Sequence, residues 1–309
     1  MDLPVSLLLR IFVSDLLPVF LIAGVGFLLA RHTGVQVLTV SRVTFHALAP
    51  AMVFHVLVTS SLNGADFGRM ALFYVLVATA AAVMARLAAI PLRLDREGLS
   101  AFMLVVVCSN SGNYGLPVAL LAFGPEALAF ASVYFISSSI FSYTGGVLLA
   151  ASGRRTLREA LAGLLRVPAV WGAAAAAVAL GIGAQMPQAV MRPLEMLSDA
   201  ALPMMILVLG MQLERASWPE RPAVVATAVG LSIVATPLAA LGLSHVVGLQ
   251  GPALQAGVLQ SSMPTAVITT ILALEFEVAP AFVTSVVAAS TLISPFTVTW
   301  LIAYLQRHA

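Results

Sequence analysis

The sequence predicts an all-α polytopic membrane protein: ten transmembrane helices in two inverted five-helix halves, with the fourth and ninth helices broken. Three observations predict it. Of 309 residues, 61% are apolar and only 9% charged, with a mean hydropathy of +1.03, whereas an ordinary soluble domain is about 25% charged and about 45–50% apolar. Apolar runs of about 20 residues, enough to cross roughly 30 Å of hydrocarbon as helix, recur along the chain. Prolines fall in corresponding runs of the two halves at nearly constant offset.

The same composition excludes other classes. With 28 charged groups the chain could not cover the surface of two soluble domains. One cysteine, Cys108, rules out a disulfide framework and a cysteine-rich zinc site, and no cofactor or metal site is expected. The net charge is +2 and the basic residues form no long patch, so a pI near 9.0 does not indicate a nucleic-acid partner. Gly24-Val25-Gly26 lacks the strand-turn-helix setting of a dinucleotide site, and there is no phosphate-binding loop of the ATPase type. The amino terminus does not read as a cleavable signal, because Asp2 opens it and Arg10 and Asp15 interrupt the apolar run.

Charges and turn residues punctuate the runs into spans at about 13–30, 36–60, 67–90, 99–121, 126–150, 167–186, 188–213, 222–246, 252–274 and 280–304. Continuous Ala, Leu and Val favour helices over a barrel, which would alternate over about ten residues. All 15 basic residues are arginines. With ten spans, eleven of them (Arg31, Arg42, Arg86, Arg93, Arg96, Arg154, Arg155, Arg158, Arg166, Arg215 and Arg221) fall on one side. Four (Arg10, Arg69, Arg192 and Arg307) fall on the other. The positive-inside rule then puts both termini outside the cytoplasm.

Five spans cross the bilayer an odd number of times, so two five-span halves, residues 1–153 and 154–309, would insert with opposite orientation. Pro18 faces Pro168, Pro50 faces Pro203 and Pro117 faces Pro264, at offsets of 150, 153 and 147. Chance matches among 17 prolines are the competing explanation.

The densest polar stretch lies within span 4: Cys108-Ser109-Asn110-Ser111-Gly112-Asn113-Tyr114-Gly115-Leu116-Pro117. Pro117 has no amide hydrogen and clashes with the preceding turn, so the helix must open nearby. Freed backbone groups at membrane depth are tolerated only inside protein or beside water. Span 9 carries Gln260-Ser261-Ser262-Met263-Pro264-Thr265 at the corresponding place. A pair of interrupted segments in two halves marks a transporter's binding site, and half-helix amino termini suit an anion. The candidate substrate residues are Asn110, Ser111, Asn113, Tyr114, Gly115, Pro117, Gln260, Ser261, Ser262 and Pro264. A proline kink with serines bonding back to carbonyls would explain Ser262-Met263-Pro264 alone, but not the polar density from Asn110 to Gly115.

Ionisable groups within spans are costly and suggest function. His46 in span 2 stands opposite Asp199 in span 7 when Pro50 and Pro203 are aligned, which makes them the candidates for proton coupling. Placement at the membrane interface is the competing reading. His55 reads as a packed or interfacial side chain, and the hydroxyls of Tyr134, Ser137, Ser138 and Ser139 read mainly as close helix packing.

At these residues the sequence resembles the auxin efflux carrier family, with its bacterial members and the PIN carriers of plants. The resemblance covers the whole chain: the span count, the Asn-x-x-Asn-x-Gly-x-Pro pattern at Asn110, Asn113, Gly115 and Pro117, and the ending Ala-Ser-Thr-Leu-Ile-Ser-Pro-Phe at 289–296. It implies the fold of the bile-acid sodium symporters, in which broken helices 4 and 9 cross. Spans 1, 2, 6 and 7 would be a scaffold, and spans 3–5 and 8–10 a transport domain moving as an elevator. It also implies a homodimer that exports an organic anion such as auxin, malate or malonate. By motif match Asn110 takes the place of the carrier asparagine near the substrate, and Pro117 and Pro264 those of the crossover prolines. Two departures matter. Span 9 offers Gln260 and no carboxylate before Glu275, which puts sodium coupling in doubt, and the apolar part of span 3 lacks the acidic residue of the plant carriers.

The expected function is therefore secondary transport of a small organic anion across the lipid bilayer by alternating access. A passive anion channel or a membrane sensor would share the polar breaks. A membrane enzyme would have only His46, Glu195 and Asp199 to work with, at a spacing that makes no catalytic dyad.

Overall fold

The computed structural model describes residues 4–150, 167–184, 186–214 and 221–308. The described chain is helical, apart from a single bridge between Ser109 and Thr265. Its helices are α1 (Val5–Thr33), α2 (Val37–Thr59), α3 (Gly64–Ala89), α4 (Arg96–Val107), α5 (Ser111–Ala150), α6 (Pro168–Gly181), α7 (Gln188–Leu213), α8 (Pro222–Val247), α9 (Gly251–Ser261), α10 (Ile268–Glu275) and α11 (Pro280–His308). Seven of these, α1, α2, α3, α5, α7, α8 and α11, are long and apolar enough to cross a membrane.

Every expected span falls on helix, but not always on one unbroken helix. Span 4 becomes α4 and the first limb of α5, and span 9 becomes the short pair α9 and α10. The second limb of α5 is span 5, set off where Gly124 takes φ 83° and is followed by Pro125. Only glycine adopts such a φ without strain, and proline cannot donate across the bend. Span 6 is the 14-residue α6, about 21 Å long and too short to cross roughly 30 Å alone. The divide expected at 153/154, with Arg154, Arg155, Arg158, Arg166 and Arg215, lies outside the described residues.

The prolines shape the helices in a regular way. Wide turns at Phe12–Leu16, Thr44–Leu48, Ser111–Gly115 and Leu231–Ala235 each end two residues before a proline: Pro18, Pro50, Pro117 and Pro237. The proline ring pushes away the carbonyl four residues back, and the ladder recovers by reaching one residue further. Leu17 N–H, for example, bonds to Phe12 O. Asn63 closes the start of α3 in a reciprocal cap with Asp66, and Asp95 caps α4 through Gly98 N–H.

Helix α1 packs against α7, and α2 against α6. Glycines set these approaches: Gly26 lies on the Leu207 carbonyl, Gly210 on the Ala23 carbonyl and Gly172 on the Pro50 backbone. Close backbone approach is how membrane helices gain packing energy without a hydrophobic drive. Gly210→Leu should therefore lower the melting temperature of the detergent-solubilised protein by several degrees or prevent its accumulation. Gly24→Ala, where an added methyl meets nothing within 4 Å, should leave it unchanged. Equal melting for Gly210→Leu and wild type would refute the α1–α7 contact.

Candidate functional site

The two interrupted segments meet. Asn110 N–H donates to Pro264 O at 2.7 Å, and Ala266 N–H donates to Cys108 O at 2.8 Å, so the two breaks lie antiparallel with Ser109 opposite Thr265. Each break thus supplies the backbone partners the other has lost, which satisfies the demand for internal pairing at membrane depth. Thr265 ties the junction down, donating its hydroxyl to Val105 O at 2.7 Å and taking its own N–H to Ser290 Oγ at 3.1 Å.

Around this junction the predicted residues are buried, with Asn110, Ser111, Asn113, Gln260, Ser261 and Ser262 all at or below 5% exposure. Three of their side-chain atoms have no protein partner: Asn110 Nδ2, Asn113 Oδ1 and Gln260 Oε1. A buried polar atom left unpaired costs about 1–3 kcal/mol, so three together make this junction the candidate ligand site. Gln260 is oriented by its own bond, Nε2 to Ala131 O at 3.4 Å, which turns Oε1 onto Gly115; a methyl at Gly115 would collide with that oxygen. Asn113 Nδ2 reaches Gln212 Oε1 of α7 at 3.4 Å, linking the junction to the helix that packs on α1.

The other predicted residues play plainer parts. Ser111 shares a hydrogen bond with Ser138, and Tyr114 accepts one from Ser294 while its ring meets Phe20 edge-on at 5.9 Å. Ser261 and Ser262 donate back to Val258 O and Leu259 O of their own helix. Pro264 lies in the break and accepts through its carbonyl, whereas Pro117 lies in regular helix beyond the wide turn. The two prolines matched by offset are thus not placed alike. Sequence reasoning missed Thr265 and Gln212. It also read Ser138 only as helix packing, whereas its hydroxyl shares a hydrogen bond with Ser111.

The sequence matches the membrane transport protein family over residues 11–302, the family of the auxin efflux carriers. The chain belongs to that family. It is also 27% identical over 265 residues, 83% of this chain and 85% of the relative, to an uncharacterized transporter of Methanothermobacter thermautotrophicus.

Beside the junction the transporter holds a cavity of about 750 Å³, within the range of small-molecule sites. It is lined by Pro18, Thr59, Pro117, Leu120, Ser198 and Leu202, so of the predicted substrate residues Pro117 is on it, whereas the buried amides of Asn110, Asn113 and Gln260 are not among its lining. Its ionisable lining is His55, Glu126 and Asp199. Of the two expected proton carriers, Asp199 is therefore on the cavity and His46 is not. His46 is exposed, its Nδ1 3.1 Å from Arg42 O, and no hydrogen bond or ion pair joins it to Asp199 among the described residues. The histidine on the cavity is His55. Asp15 is a further carboxylate that the sequence reading passed over: it is buried in the wide turn of α1 and accepts from Ser14 at 2.6 Å.

Proposed function

We propose that the transporter is a secondary carrier that exports a small organic anion, bound where the two breaks cross. The observation that carries this reading is the trio of buried, unpartnered amide atoms at Asn110, Asn113 and Gln260. They offer one donor and two acceptors. A carboxylate takes the Asn110 N–H, strengthened by the start of α5. A hydroxyl or ring N–H on the same molecule then satisfies Gln260 Oε1 or Asn113 Oδ1. Malate-like hydroxy acids and auxin-like indole acids carry both functions, whereas the malonate dianion has no donor to give. In counterflow from proteoliposomes, malate should compete with the transported anion at least tenfold more effectively than malonate. Equal competition would remove the two acceptors from the site.

In this reading the chain makes ten passes in two inverted halves, with the paired short helices counted as single broken passes. The packing pattern supports it: a two-fold relation between halves turns the α1–α7 contact into the α6–α2 contact, and both pairs pack closely. The α1, α2, α6 and α7 group would be the scaffold of a homodimer, and the rest the moving transport domain. The arginine tally places the cavity mouth, where α2 ends and α3 begins, on the outer side of a bacterial cytoplasmic membrane. Carboxylates at that mouth repel a returning anion, which favours export. Any proton linkage is assigned to Asp199, with His55 as its companion, and sodium is not invoked. Neutralising the mouth with Glu126→Gln, which leaves Asp199 in place, should raise anion uptake from the outside several-fold at low salt, and added salt should erase the difference. An unchanged inward rate would argue against this orientation.

A further inference from the structure

A second large cavity, about 710 Å³, lies between α3 and α5, with Met103 of α4 behind it. None of its lining residues comes from α1, α2, α6 or α7. Its α3 wall is the stripe Val75, Thr79, Val83 and Leu87, all exposed and spaced four residues apart, as on one helix face. In a bilayer such a face opens sideways into hydrocarbon, not into water. The hydroxyls along the groove ask for nothing: Thr79 donates to Val75 O, Ser137 to Val133 O and Thr144 to Ile140 O. The body of the groove therefore suits an alkyl chain.

One end differs. Arg86 is the charged residue of the lining, it sits in the last turn of α3, and it makes no ion pair among the described residues. Helix α3 has 26 residues, about 39 Å, against a hydrocarbon core of roughly 30 Å, so its last turn lies at the level of lipid headgroups. From Arg86 back to Ala71 the groove runs about 22 Å along the helix, the length of an extended acyl chain. Its far end reaches Tyr74, whose ring meets the buried Tyr134 of α5 edge-on at 5.0 Å.

We propose that this groove is a binding site for an anionic phospholipid, its phosphate on the Arg86 guanidinium and one acyl chain along the α3 stripe. The site is separate from the substrate site and does not depend on which anion is carried. It is tested by native mass spectrometry of the full chain in detergent with dioleoylphosphatidylglycerol, dioleoylphosphatidylcholine or oleate added. Wild type should retain phosphatidylglycerol about tenfold over phosphatidylcholine. Arg86→Gln should lose that preference while Arg93→Gln keeps it, and Thr79→Trp, which fills the groove, should lower retention of both lipids. Thermal unfolding of each variant confirms that it is folded. No preference in wild type, or a preference that survives Arg86→Gln, would overturn the proposal. Stronger retention of oleate than of phosphatidylglycerol would overturn the phospholipid in favour of a free fatty acid.

Discussion

Asn110→Ala should abolish saturable counterflow of the anion at ordinary substrate concentrations while leaving the protein folded. The fold is spared because the junction uses the Asn110 backbone, whose N–H holds Pro264 O and whose carbonyl accepts from Gly115 N–H at 3.0 Å; alanine keeps both. What is lost is Nδ2, the one amide nitrogen among the three that has no partner. A hydrogen bond to a charged group contributes about 1.5–3 kcal/mol, so affinity should fall roughly tenfold to somewhat more than a hundredfold. Asn110→Asp sharpens the test, because it keeps the size and replaces the donor with a like charge. For an anionic substrate it should be at least as damaging as alanine, whereas for a cation it would preserve or improve binding. Saturable transport with an unchanged KM in Asn110→Ala would remove the crossover from the pathway. A linear, non-saturating flux in wild type would favour a channel.

The breaks themselves were legible because their cause is local. Proline, glycine and clustered amides cannot continue a helix, so the stretch from Cys108 to Pro117 and the one from Gln260 to Thr265 declare themselves in any apolar run. Their meeting was not legible from residue chemistry alone. The contact between Gln260 and Gly115 depends on how two distant segments cross, and no periodicity encodes it. The proline offsets illustrate the limit: Pro117 and Pro264 lie in matching spans, yet one follows a wide turn and the other lies in the break. The histidines show the same limit. Aligning Pro50 with Pro203 gives His46 and Asp199 equivalent places in the two halves, but inverted halves put equivalent places at mirrored depths, so the alignment does not bring the two side chains together. His55 is nine residues on, roughly two and a half turns, and it is the one whose side lines the cavity with Asp199. Thr265 went unmarked because a threonine next to proline is unremarkable until its neighbours, Val105 O and Ser290, are known.

Gly115→Ala is expected to be the most damaging single-methyl change in the crossover, and its partner can be named. The added carbon would overlap Gln260 Oε1, and because Gln260 is fully buried with its Nε2 on Ala131 O, moving the amide aside strains that bond and the packing around it. Overpacking of this kind costs about 1–3 kcal/mol in an otherwise well-packed site, and here it also tilts the amide that faces the substrate. Transport should be lost and the melting temperature lowered. Gln260→Ala alone should lose transport with a smaller drop in melting temperature, since it leaves Ala131 O without its donor. The double variant carries the decisive reading: with the amide gone the methyl has room, so it should melt at the temperature of Gln260→Ala alone, without regaining transport. That non-additivity is the signature of direct contact. If the methyl costs as much in the Gln260→Ala background as in wild type, the two residues do not touch, and the crossover must be built differently.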